Sequence, residues 1–168
     1  MDPVLELLSD LVAINSVNPS LVPGGAGEAA IADRVMTALR AAGLDVEVTD
    51  VAPGRRNVVG VLQARRSGRS LMFCGHLDTV GVEGMTEPFN PVMRDGRLYG
   101  RGAQDMKSGV AAMVDAASRL AARGGLKSGR LVVAAVADEE HASLGADALV
   151  QQHATDAAVV TEPTDLAV

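Results

Sequence analysis

The spacing of apolar residues along the chain predicts three long helices and one short one. In three segments apolar residues recur every three or four positions, which is typical of helices that bury one face. The first begins at Asp2 and Pro3, where a capping carboxylate precedes a proline. The second runs from about Glu28 to Ala42 and stops at Gly43. The third runs from Asp105 to about Ala122, and the segment ADALVQQH predicts the short one.

The segments between these helices carry strand patterns. DVEVTDV alternates apolar and polar residues, whereas NVVGVLQA, SLMFCG, GRLVVAAVA and AAVV are the apolar runs expected of buried strands. VMRDGRLYG predicts a hairpin that turns at Asp95 and Gly96. Because strands alternate with helices, we expect an α/β fold in which a largely buried mixed sheet is flanked by helices. No repeat or linker divides the 168 residues, so residues 1–168 are expected to belong to one domain.

The amino-acid composition restricts the kinds of partner and the cellular compartment that the sequence predicts. With 2% aromatic residues, its core must be built from Ala, Val, Leu and Met. A formal net charge of −6 argues against nucleic acid or an anionic membrane as a partner. Cys74 is the only cysteine, which excludes an internal disulfide and fits a reducing compartment. The N-terminus lacks a signal-peptide pattern, and no apolar run approaches the roughly 20 residues of a membrane span. These features predict a cytoplasmic protein.

One glycine-rich segment imitates a nucleotide-binding motif. GAGEAA, residues 25–30, matches the G-x-G-x-x-A pattern and opens a helix. That pattern indicates a dinucleotide site only when a strand precedes it, and SLVPG is not a convincing strand. We therefore interpret the segment as a turn and helix entry.

Four polar clusters each follow an apolar run. GHLDT follows LMFC, GRGAQD follows RLY, DEE follows LVVAAVA, and TEP follows AAVV. In open α/β sheets, binding sites form at the carboxyl ends of the strands. The clusters are therefore expected to bring one histidine and several acids to one edge of the sheet: His76, Asp78, Asp105, Glu139, Glu140 and Glu162.

Each cluster alone also has an ordinary structural explanation. A histidine at a strand end can simply be hydrogen-bonded, and an acid there can cap a turn or point to solvent. These alternatives are a hydrogen-bonded histidine with an aspartate cap for His76 and Asp78, a helix cap for Asp105, a solvated acidic loop for Glu139 and Glu140, and exposed strand-end acids for Asp138 and Glu162. The repetition of the pattern favours a shared site instead, except for Asp138, which we expect to be an exposed strand-end acid.

The chemistry of the clustered residues points to a metal. Adjacent carboxylates repel and raise each other's pKa, and a dication would relieve this if Glu140 bound it while Glu139 acted on its water. One histidine with several carboxylates and no cysteine ligand suits Zn²⁺, Co²⁺ or Mn²⁺ in a hydrolytic site. Three or more carboxylates with a histidine are enough for a two-metal centre. Cys74 lies in an apolar strand and is expected to be inert.

The order of the motifs resembles that of the zinc aminoacylase and carboxypeptidase family, which includes acetylornithine deacetylase, succinyl-diaminopimelate desuccinylase, aminoacylase and glutamate carboxypeptidase. GHLDTV, LYGRGAQDMKSG, ADEEHASLGA and TEPT carry the resemblance, and LLSDLVAINSVNPS resembles the family's opening helix and turn. It implies the N-terminal part of a zinc-exopeptidase-like catalytic domain. The implied reaction is metal-dependent hydrolysis, through a metal-bridging water, of the amide bond of an N-acyl amino acid or of a C-terminal peptide bond.

The resemblance also implies a role for each site residue. His76 and Glu162 would hold one zinc ion, Asp105 would bridge two ions, and Glu140 would hold the second. Glu139 would be the general base.

Two further implications concern the surroundings of the ligands. Asp78 would orient His76, and the peptide bond between Asp105 and Met106 would be cis, a rare geometry away from proline. Gln104 and Ser108 depart from the family pattern, which has smaller residues there, but neither is an implied ligand.

The resemblance further implies an incomplete catalytic domain. The family continues with a lid or dimerisation domain and then a segment that supplies a last histidine. The 168 residues are therefore expected to hold one ion at most, to lack turnover, to leave a sheet edge unpaired, and to dimerise only in a longer form. The alternative function is a non-catalytic metal-binding fragment or regulatory module of the same fold.

Overall fold

Two helices come first along the chain, then five strands, and from the third helix onward helices alternate with strands, in a computed structural model that describes residues 2–164. The N-terminal half contains α1 (Pro3–Ala13), α2 (Ala29–Ala41), β1 (Asp45–Ala52), β2 (Arg55–Gln63) and β3 (Ser70–His76). The remainder contains β4 (Val92–Arg94), β5 (Arg97–Tyr99), α3 (Lys107–Ala122), β6 (Arg130–Val136), α4 (Leu144–Gln152) and β7 (Ala157–Val160).

Five strands form one mixed sheet in the order β1-β2-β6-β3-β7. The strand β2 runs antiparallel to both β1 and β6, and a bulge between Asp50 and Ala52 shifts the β1–β2 register. The strand β3 runs parallel to β6 on one side and to β7 on the other. The carboxyl ends of β3, β6 and β7 therefore meet at one edge of the sheet, where binding sites form in folds of this kind.

The strand β6 forms the middle of the core. Its residues from Leu131 to Val136 are all buried. Alternate side chains point to opposite faces, so Leu131, Val133 and Ala135 join the larger apolar cluster with residues of α1, α2 and α3. The intervening residues join a smaller cluster with Leu149 of α4. The predicted layered α/β fold, with helices flanking a mixed sheet, is thus confirmed.

Local predictions are confirmed at several element ends. The Asp2 carboxylate accepts a hydrogen bond from the Val4 amide at 3.2 Å and caps α1. Asp95 and Gly96 both have positive φ, 52° and 74°, in the two-residue turn between β4 and β5. Residues 25–28 form a loop that leads into α2, so the glycine-rich segment is a helix entry as interpreted.

Two predictions about elements were wrong. The strand β7 is exposed along all four residues instead of buried, because among the described residues only β3 pairs with it. The helix α3 begins at Lys107 instead of Asp105, and residues 101–106 form turns, so Asp105 does not cap the helix. In addition, within residues 2–164 β5 pairs with β4 alone, in a separate two-stranded sheet.

Within residues 2–164, the structure contains no helix of the length and hydropathy that crossing a membrane requires.

The close approach of α4 to the end of β6 generates a stability prediction. A Cβ atom on Gly145 would clash with the Ala137 amide nitrogen and the Asn57 side-chain oxygen. We expect Gly145→Ala to lower the free energy of unfolding by about 1–3 kcal/mol, because overpacking outweighs alanine's better helix propensity. Urea denaturation measures the change. Leu144→Ala, at an adjacent residue that is 40% exposed, is the control and should change little. A Gly145→Ala variant as stable as the control would contradict the prediction.

Candidate metal centre

His76 stands at the centre of the carboxyl edge of the sheet. It is the last residue of β3, and its side chain is 1% exposed. Its Nδ1 lies 2.9 Å from the main-chain oxygen of Asp78. Since a carbonyl oxygen only accepts hydrogen bonds, Nδ1 carries the proton in this pair, and a neutral ring therefore presents a lone pair at Nε2.

Carboxylates from three segments surround Nε2. It lies 3.1 Å from Asp105 Oδ1, 3.6 Å from Glu162 Oε1 and 3.9 Å from Glu139 Oε2. Asp105 comes from the loop before α3, Glu139 follows β6, and Glu162 follows β7. The expectation that these acids gather beside His76 is therefore met, including for Asp105, which the loop before α3 delivers.

The donor atoms fall into two overlapping groups, each able to surround one metal ion. In the first, one donor atom from each of His76, Asp105 and Glu140 lies within 4.8 Å of the others. In the second, the same holds for His76, Glu139 and Glu162. One imidazole and several carboxylates suit Zn²⁺ and related dications, so the residues present fit a metal centre.

The electrostatics of the site favour a cation. Burial alone would lower the pKa of His76, but the Asp78 carboxylate, with Oδ1 3.5 Å from Nδ1, and the nearby acids Glu162 and Glu139 raise it to about 9. The pKa values of Glu140 and Glu162 are raised, first by burial and then by neighbouring carboxylates, although His76 partly opposes this. The edge thus concentrates negative charge that a dication would stabilise.

Asp78 contacts both His76 and the segment that carries Glu139 and Glu140, but it does not face Nε2 of His76. Its carboxylate is fully buried and accepts hydrogen bonds from the amides of Glu139 at 3.1 Å and Glu140 at 3.2 Å. Its Oδ1 lies 3.5 Å from His76 Nδ1, farther than the 2.9 Å between Nδ1 and the Asp78 carbonyl oxygen. Asp78 therefore orients His76 mainly through its main chain, while its carboxylate holds the segment that carries Glu139 and Glu140.

Asp138 is buried, which corrects the expectation of an exposed strand-end acid. It is 0% exposed, has a φ of 65°, and accepts hydrogen bonds from Asn18 Nδ2 at 3.0 Å and Arg55 Nη2 at 2.9 Å. Burial would raise the pKa of Asp138, but these hydrogen bonds and the charge of Arg55 lower it. Its own main-chain amide donates to Glu28 Oε1 at 3.1 Å.

Sequence reasoning missed the three residues that surround Asp138. Asn18, Glu28 and Arg55 come from the loop after α1, the start of α2 and the start of β2, and all are buried. Glu28 lies inside the glycine-rich segment, where no spacing marks it as buried. The one signal that could have drawn attention to Glu28 is a charged residue at the predicted start of a packed helix, because charged side chains are almost never fully buried unless they are paired.

The start of α3 lies tightly against the end of β7. A Cβ atom on Gly109 would come within 2.6 Å of the Thr161 carbonyl oxygen. Thr161 is in turn tied to β3, since its amide donates to the Cys74 carbonyl at 3.0 Å. The peptide bond between Asp105 and Met106 is cis, as the resemblance implied. The absence of a side chain at Gly109 thus lets Glu162 and Asp105 approach the same imidazole.

Cys74 is half-buried in β3. Burial and then the charge of Glu162 raise the pKa of its thiol to about 11, which is consistent with the predicted inert side chain.

The sequence matches one known protein family. The profile of peptidase family M20/M25/M40 matches residues 72–168, more than half of the chain. The chain therefore belongs to this family, which confirms the resemblance seen in the motifs.

Solved structures agree on the fold. A metallo-carboxypeptidase of family M20 from Sulfolobus solfataricus superposes with a TM-score of 0.80 at 19% identity, over 96% of this chain and 37% of its own. Human carnosine dipeptidase 1 gives 0.72 at 23% identity, over 95% and 38%. The YXEP protein of Bacillus subtilis, a dinuclear metal-binding peptidase from family M20, gives 0.62 at 19% identity, over 88% and 38%. The chain thus spans less than two fifths of the length of these proteins.

The contact between α3 and the segment after β7 yields a prediction about zinc affinity. We expect Gly109→Ala to push Thr161 away and displace Glu162, weakening Zn²⁺ binding about tenfold, as is typical when a group that orients a ligand is disturbed. Chelator competition measures the dissociation constant. Ala112→Ser, at an exposed residue of the same helix, is the matched control and should leave the constant unchanged. Equal affinities in the two variants would mean that this contact does not position Glu162.

Proposed function

We propose that the chain forms the metal-binding part of a hydrolase site that cleaves the amide bond of an N-acyl amino acid or a C-terminal peptide bond. The observation that carries this proposal is the convergence of Asp105 Oδ1 and Glu162 Oε1, at 3.1 and 3.6 Å, on Nε2 of the buried His76. Family membership supports metal-dependent hydrolysis of peptides in general. The deacetylase, desuccinylase or carboxypeptidase type of reaction is the finer part of the proposal.

Four residues would hold the metal in this proposal. His76 and Glu162 would bind one ion, Glu140 would bind a second, and Asp105 would bridge the two, with zinc favoured and Co²⁺ or Mn²⁺ possible. Among residues 2–164, His76 is the only histidine in either donor group, so we expect the chain alone to hold one ion. That ion would lie among His76, Asp105 and Glu162.

The metal and the side chains of the protein would then have separate roles in the reaction. When bound, the metal would polarise the substrate carbonyl and lower the pKa of a water molecule. Glu139 would act as the general base, a role supported by its 45% exposed side chain and by the 3.9 Å between its carboxylate and His76 Nε2. It would take the proton from the attacking water and deliver it to the leaving amine. Asp78 would keep His76 in the tautomer that offers Nε2.

We also propose a partner molecule, a cellular location and an assembly state for the whole protein. The three structural relatives described above are named as peptidases, which favours a small peptide or N-acyl amino acid as the partner molecule. The acidic net charge of −6 disfavours nucleic acid and anionic membranes. We propose a cytoplasmic location, and dimerisation only in a form longer than these 168 residues.

A second candidate is a metal-binding module without turnover. It is favoured by the donor groups within residues 2–164, which share a single histidine. Metal analysis combined with an amide-hydrolysis assay separates the two functions. One bound zinc with no hydrolysis by the whole protein would support the module.

The shared imidazole gives the first functional prediction. We expect His76→Ala to abolish Zn²⁺ binding, because Nε2 belongs to both donor groups. Isothermal titration of the metal-free chain with Zn²⁺ measures this. His153→Ala, at the end of α4, should bind zinc as the unchanged chain does. Retained binding in His76→Ala would exclude the proposed centre.

The second functional prediction separates the base from the ligands. We expect Glu139→Gln to lower kcat of the whole protein about 10²–10⁴-fold, the range typical of a lost general base, while metal content stays near normal. Glu140→Gln should instead lose metal. Metal analysis beside the hydrolysis assay distinguishes these outcomes, and a loss of metal in Glu139→Gln would contradict its role as base.

A further inference from the structure

We infer that Arg55 is a positioning residue for Glu139 and Glu140. It touches neither of them and acts through a buried series of hydrogen bonds. The inference deepens the metal centre under Proposed function and rests on it.

The first link joins Arg55 to Asp138. Arg55 is 6% exposed, and its Nε and Nη2 donate to the two oxygens of Glu28 at 2.5 and 2.6 Å. Nη2 also donates to Asp138 Oδ1 at 2.9 Å. Because Glu28 Oε1 accepts from the Asp138 amide at 3.1 Å, the Arg55–Glu28 pair holds Asp138 by both its side chain and its main chain.

The second link joins Asp138 to Asp78. The Asn18 side-chain amide donates to Asp138 Oδ1 at 3.0 Å and to Asp78 Oδ2 at 2.7 Å. Asp78 then accepts from the amides of Glu139 and Glu140. The segment after β6 is therefore held at three consecutive residues, 138 through Arg55 and Glu28, and 139 and 140 through Asp78.

The charges explain why an arginine occupies this position. Glu28, Asp78 and Asp138 are each 0% exposed, and three buried carboxylates need compensation. A guanidinium offers donors in a planar fork, so one side chain can satisfy both oxygens of Glu28 and still reach Asp138. A lysine ammonium is a single point charge and lacks this geometry.

The neighbouring arginine provides a matched control. Arg56 follows Arg55 in β2 and also forms two ion pairs, with Asp33 at 3.1 Å and Asp50 at 3.0 Å. These partners are more than half exposed, and Arg56 itself is 34% exposed. Alternation along the strand turns one arginine toward the site and the next toward solvent.

Amide hydrogen exchange measured by NMR on the metal-free chain tests the inference. In Arg55→Lys we expect the Glu139 and Glu140 amides to exchange about tenfold faster than in Arg56→Lys, the scale of one weakened charge-assisted hydrogen bond. The amides of β6 should exchange at the same rate in both variants. Asn18→Ala, which removes the second link, should show the same selective acceleration.

Two results would overturn the inference. Unchanged exchange at Glu139 and Glu140 in Arg55→Lys would show that Arg55 does not position them. Equal acceleration of the β6 amides would show that Arg55 stabilises the fold as a whole.

Zinc affinity provides an independent measurement. If Arg55 positions the ligand segment, Arg55→Lys should bind Zn²⁺ at least about tenfold more weakly than Arg56→Lys, within the range reported for residues that orient ligands. Equal affinities would count against the inference. If the unchanged chain itself fails to bind Zn²⁺, the proposed metal centre fails, whereas the exchange data still decide whether Arg55 orders the segment.

Discussion

The structure depends on one electrostatic constraint: several carboxylates converge on a single buried imidazole. Three parallel strands end at the same edge: β3 ends in His76 itself, and β6 and β7 are followed by Glu139 and Glu162, which face its ring. Such crowding is unfavourable in a protein that offers no compensating charge, and the raised pKa values of Glu140 and Glu162 express that cost. The fold provides fixed hydrogen-bond donors to the buried carboxylates. A dication bound to the exposed carboxylates would neutralise the remaining negative charge.

The carboxylates at this edge serve two different purposes. Asp78 and Asp138 are fully buried, and they accept hydrogen bonds from main-chain amides, Asn18 and Arg55, so they shape the main chain. Glu139 and Asp105 have side chains 45% and 56% exposed, so they remain open to solvent or to a bound group. The run of three acids after β6 therefore combines one structural residue with two that face the candidate centre.

Much of the fold and of the candidate site could be predicted because the signals were local. Residues that reach the site follow directly on apolar strands, and the motif order already resembled the family. The Arg55 network could not be predicted, since its partners lie 27 and 83 positions away and no spacing connects them. The exposure of β7 was missed because an apolar run such as AAVV does not distinguish a central strand from an edge strand. The start of α3 was misplaced because Asp105 and Met106 carry no helix-breaking signal and an aspartate commonly begins a helix.

The register of β2 in the sheet has a consequence for the candidate metal centre. Arg55 pairs with Ala52 across the bulge, whereas Arg56 pairs with Asp50. Arg55 and Arg56 are thus adjacent in β2, and the strand register alone determines which of the two side chains points inward. A slip of one residue would exchange the two, because strand side chains alternate between faces. The register of β2 against the buried strand β6, with Val58 opposite Ala135, therefore fixes which arginine reaches Asp138, so an insertion or deletion between Arg55 and Val58 would be transmitted to a centre formed by other strands.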